Sequence, residues 1–167
     1  MADAAVLSDI SKWLAATSLS HAIQTAGWII PALQTIHILC VAVLFSAAVL
    51  VDLRIWRLLL RELPLRDVGR RFLPLIWPVV LILLVTGALL IVGEPRRSLL
   101  NDTFYVKMGL LILALSLTAL LQWSLASPGF LEDNVRRVTA RLAATASLLA
   151  WCGIIFAGRF IAYTQAG

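Results

Sequence analysis

Chemically versatile side chains are scarce in this chain, which has two histidines, two cysteines and nine acidic residues among 167. Only 14% of its residues are charged while 61% are hydrophobic, which excludes a soluble globular domain and a disordered segment. Cys40 and Cys152 both fall inside long apolar runs, so a disulfide framework is excluded. A zinc site needs about four N, S or O ligands, more than the buried inventory offers. The apolar residues do not alternate over segments of about ten residues, which excludes a membrane β-barrel. Asp3 and Asp9 stand where a signal peptide carries basic residues, so no cleaved leader is expected.

What is present is long uncharged sequence. No Lys, Arg, Asp or Glu occurs between Lys12 and Asp52, and none between Phe72 and Gly93. A bilayer span needs about 20 predominantly apolar residues, and the runs at about 28–52, 72–93, 104–125 and 142–163 qualify. Without water in the hydrocarbon, each must satisfy its backbone as a helix. Ahead of them, Leu7, Ile10, Trp13 and Leu14 recur at helical spacing, with Ser8 as a candidate N-cap. Residues 7–26 therefore read as a short interfacial helix. The expected fold is an all-α integral membrane protein, with one membrane domain over 1–167. It is a four-transmembrane-helix bundle preceded by that interfacial helix.

The net charge of +5 would suggest nucleic acid in a polar protein, but here the cations sit in the gaps between spans. No nucleic-acid partner is expected. The gap after the first span holds Arg54, Arg57, Arg61, Arg66, Arg70 and Arg71, and the gap after the third holds Arg136, Arg137 and Arg141. The positive-inside rule then places both termini on the outer side of the membrane. The first gap also has a helical pattern of Leu and Arg suited to anionic lipid on the inner leaflet.

An ionisable side chain in hydrocarbon costs at least ~2.5–3.5 kcal/mol for Lys or Arg at a helix centre. Those that persist there are the candidates for function: His37, Lys107 and Arg159, with Glu94 at a span boundary. With the termini outside, all four fall in the outer half of the bundle, and the inner half reads as almost purely apolar. Lys107 and Arg159 can alternatively snorkel to headgroups, and Glu94 can pair with Arg96 or Arg97. His37 lies about 13 Å deep, too far for imidazole to snorkel. It either bonds across helices or ligates a metal. Gln34 shares its face, and Cys40 lies close to the same stripe. Copper(I) would suit His37, Cys40 and Met108 by ligand softness. Haem needs only one or two axial ligands, and its propionates would find cations in Lys107 and Arg159. Haem b uses the whole set and leads, with copper as the alternative. His21 and Lys107 are the candidate second ligands of the iron held by His37. Trp77 and Trp151 are read as core.

The segment Gln34–Thr35–Ile36–His37–Ile38–Leu39–Cys40, followed by Asp52–Leu53–Arg54, resembles the first span of a bacterial four-span family of unknown function. Residues 104–111, around Lys107, and 158–163, around Arg159, match the same pattern. More distantly, His37 and Lys107 are similar to the His and Lys of the haem-binding membrane protoporphyrinogen oxidases and of the copper resistance D family. The oxidase resemblance implies that His37 binds haem b, with the Lys essential nearby. The chain departs from both families at Leu44, Ser46 and Ala47, where a Trp and a Gly are usual. It also ends its first span on Asp52–Leu53–Arg54 rather than on Tyr and His. The oxidase activity is therefore not carried over.

The expected function is a b-type haem membrane protein engaged in redox chemistry or electron transfer, possessing a periplasmic redox partner and compatible with a homo-oligomer. The alternatives are a copper or small-solute transport protein and a membrane anchor subunit for a periplasmic partner.

Overall fold

A computed structural model describes residues 2–60, 62–126 and 134–161. They form seven helices and no strand: α1 (Ala2–Ala15), α2 (Ser18–Thr25), α3 (Ile29–Ile55), α4 (Leu65–Gly93), α5 (Pro95–Leu99), α6 (Asp102–Ala126) and α7 (Asn134–Phe160). Helices α3, α4, α6 and α7 each contain a stretch long and apolar enough to cross a bilayer, with mean hydropathy of 2.5, 2.8, 2.0 and 1.6. At 1.5 Å per residue the 27 residues of α3 span about 40 Å, more than the ~30 Å of hydrocarbon. The chain is thus an all-α, multi-pass membrane bundle.

Helix boundaries follow local chemistry. The Thr17 hydroxyl accepts from Ser20 N–H at 3.3 Å and caps α2. Asn101 Oδ1 accepts from Thr103 N–H at 2.9 Å and does the same for α6. At the end of α3, Arg57 takes a left-handed φ of 57°, letting Leu58 N–H reach back to the Leu53 carbonyl at 2.9 Å. Pro64 precedes α4, where its fixed φ suits a helix start.

The helices outrun the expected spans. α4 begins at Leu65, so Arg66, Arg70 and Arg71 ride on its exposed first turns rather than in a loop. The single interfacial helix expected over 7–26 is two helices, broken at Ala16–Thr17. Ser8 lies inside α1 instead of capping it, and its carbonyl accepts the Ser11 hydroxyl at 2.8 Å.

Two antiparallel pairs, α3 with α4 and α6 with α7, join chiefly along a seam between α3 and α7, while α4 and α6 touch less. The buried stripe of α7 runs Ala140, Ala144, Ser147, Trp151 and Ile154, and α3 answers with Leu44, Ala47, Ala48, Val51, Asp52 and Ile55. Small side chains here let the backbones approach closely, which drives helix association where no hydrophobic effect operates. Trp151 is in the core, as expected. Trp77 is not: it is 43% exposed, and its Nε1 donates to Gln122 Oε1 on α6 at 2.8 Å. A Trp whose N–H needs a partner goes where one is available.

At one end of the bundle, α1 lies against α5 and α2 against α4. Ser20 Oγ donates to the Val92 carbonyl at 2.7 Å, and Gln24 Nε2 donates to the Gly93 carbonyl at 3.0 Å. These bonds satisfy carbonyls that the end of α4 leaves unpaired. This end is termed the capped end, and the opposite one, flanked by Arg54, Arg57, Arg66, Arg70 and Arg71, the basic end.

Candidate functional site

His37 is in α3, about two turns from the capped end, and its Nδ1 lies 2.8 Å from Thr86 Oγ1 on α4. The Thr86 hydroxyl also lies within hydrogen-bond distance of the Ile82 and Leu83 carbonyls, at 2.8 and 3.2 Å. With its proton on either carbonyl, Thr86 accepts from His37, and the imidazole is then the Nδ1–H tautomer with the Nε2 lone pair available. Thr86 is 5% exposed, so this bond is sheltered from competing water. The ring also rests on Gly87, where an added Cβ would lie 3.5 Å from His37 Cε1.

Lys107 enters from α6. It is half-buried, and its ammonium is near enough for its charge to act on the His37 imidazole. It also approaches α7, where a Cβ on Gly158 would lie 3.8 Å from Nζ. His37, Thr86, Gly87, Lys107 and Gly158 thus bring all four spanning helices together at the capped end. Gln34 is half-buried one turn before His37, and Cys40 is a half-buried free thiol one turn after it. Arg159 is exposed at the end of α7, next to Gly158.

Two expected members are placed elsewhere. His21 is exposed on α2, whose docked face carries Ser20, Ile23 and Gln24. Glu94 forms an ion pair with Arg97 at 2.9 Å in the turn between α4 and α5. Among the described residues no group of three His, Cys, Asp or Glu comes together as a metal cage.

The basic half is not purely apolar. Asp52 in α3 is 2% exposed and accepts a hydrogen bond from the Ser147 hydroxyl of α7, itself 1% exposed. The signal was in the sequence: Asp52 falls four residues after Ala48 on the stripe that α3 buries. The expectation of an almost purely apolar inner half, with the first span closing on Asp52, gave it no role.

Residues 10–164 match a family described as a family of unknown function, DUF6644, and the chain belongs to it. No curated protein and no solved structure matches it.

Proposed function

We propose that this DUF6644 member is a b-type haem-binding protein of a bacterial inner membrane, with both termini periplasmic, acting in electron transfer. The observation that carries the reading is the His37–Thr86 hydrogen bond. Ligating histidines characteristically donate their other ring N–H to a fixed acceptor, which sets the tautomer and orients the ring. With its own proton on the Ile82 carbonyl, Thr86 would be such an acceptor and leave Nε2 as the ligand atom.

The residues at hand suit a group that asks the protein for few ligands. A metal ion held by side chains alone needs further donors close by. Haem takes one His and supplies reversible one-electron chemistry itself. His37 would hold the haem through its imidazole, which rests on Gly87. Lys107 and Arg159 would hold the propionates, and Gln34 offers an amide on the same face of α3 as His37. The excess of arginine at the basic end supports the orientation.

The test is expression with ample haem, purification and optical spectroscopy. A Soret band that disappears in His37→Ala is the expected result. A colourless protein refutes the haem reading; one equivalent of copper per chain would replace it with the transport reading, and co-purification with a soluble partner with the anchor reading. An unchanged band in His37→Ala removes His37 as ligand.

A further inference from the structure

The buried polar atoms left without a hydrogen-bond partner among the described residues include Asp52 Oδ2 and Trp151 Nε1. Both belong to residues 2% exposed, and both lie on the α3–α7 seam on either side of Ser147. Asp52 and Ser147 meet at a buried point of this seam, about 22 Å along α3 from His37.

The groups around the carboxyl are few. On α3, Arg54 turns away and donates through Nε and Nη2 to the Leu63 carbonyl at 2.9 and 2.6 Å. On α7, Arg141, whose buried Nε likewise lacks a hydrogen-bond partner, stacks over Trp56, with Cζ 5.5 Å from the ring centroid, one turn nearer the basic end. On α4, Arg66, Asp67, Arg70 and Arg71 are exposed, while Val68 and Gly69 are the buried positions. The ion pairs Lys12–Asp9 and Arg97–Glu94 both lie at the capped end, away from Asp52.

A carboxylate buried in a helix seam is costly, and acids within membrane helices mark ion pathways and proton relays. A purely structural clamp would need only a Ser–Ser or Ser–Asn pair. We propose that Asp52 is a proton-binding site, with Ser147 holding one carboxyl oxygen and the other taking up a proton from water on the basic side and returning it there. The O–H bond formed at Oδ2 is the only covalent change, and no electron moves. This proposal does not depend on haem.

The experiment follows the infrared absorption of the full-length protein in liposomes as the pH is varied. A carboxylic-acid C=O band should grow on acidification, vanish in Asp52→Asn and shift in Ser147→Ala. Titrations of wild type and Asp52→Asn that superimpose overturn the proposal, and a band unmoved in Ser147→Ala overturns the role of Ser147. Should Asp52→Asn fail to insert, wild-type protein is treated with a hydrophobic carbodiimide, which reacts with protonated acids in the bilayer. An adduct on the peptide carrying Asp52 that is lost at alkaline pH supports the site; absence of that adduct at acidic pH refutes it.

Discussion

Replacing Thr86 by Val separates the structural and functional roles of the His37 hydrogen bond. Valine keeps the β-branched shape and removes only the acceptor 2.8 Å from Nδ1. Hydrogen bonds between membrane helices average about 0.6 kcal/mol and reach ~1.7. A buried N–H left unpaired adds about 1–3 kcal/mol, but imidazole can avoid that cost by moving its proton to Nε2. The loss of stability should therefore be about 1 kcal/mol, a few degrees in the thermal midpoint in detergent. Ligand binding should suffer more, because the same proton shift occupies the ligand atom. Changes to residues that orient a metal-binding His cost about 10–100-fold in affinity. Two measurements test the chain of reasoning. Solid-state NMR of protein labelled with 15N-histidine, assigned with His21→Ala, should show the Nδ1–H tautomer for His37 in wild type and lose it in Thr86→Val. Haem content by pyridine haemochrome should fall in step. An Nε2–H tautomer in wild type refutes the geometric argument, and full haem content in Thr86→Val refutes its link to ligation.

Arg159→Lys keeps the charge but loses the planar fork that grips a carboxylate, so haem content should drop, and Arg159→Leu should nearly abolish it; wild-type content in both would leave Arg159 an interfacial anchor. At Gly93 an added Cβ would lie 2.8 Å from Ile23 Cγ2, a methyl on a stiff β-branched side chain. Gly93→Ala should cost about 1–3 kcal/mol and loosen α2 from α4, seen as faster proteolysis at the α1–α2 break; an unchanged digestion rate would show that α2 docks without close contact. A reporter active only in the cytoplasm should give signal when fused at Asp67 and none at Arg97, and the opposite pattern would put the His37 cluster in the cytoplasmic half.

Sequence alone determined the architecture, because the physical constraint is one-dimensional. A chain that must bury about 20 successive apolar residues as a helix announces each span by length and composition. It also singled out His37 and Lys107, since an ionisable group inside such a run is conspicuous whatever surrounds it. What a side chain meets across helices depends on rotation and register, and those are decided by packing. Thr86 is an unremarkable threonine until α4 turns it toward His37, 2.8 Å from Nδ1. Asp52 reads as the last residue of the first span until α3 continues to Ile55 and buries it against Ser147. Trp77 looks as deep as Trp151 in the sequence, yet one lies at the surface of α4 beside Gln122 and the other inside the α3–α7 seam. Depth along the membrane normal follows from counting residues, whereas facing the core or the lipid follows only from how the helices pack together.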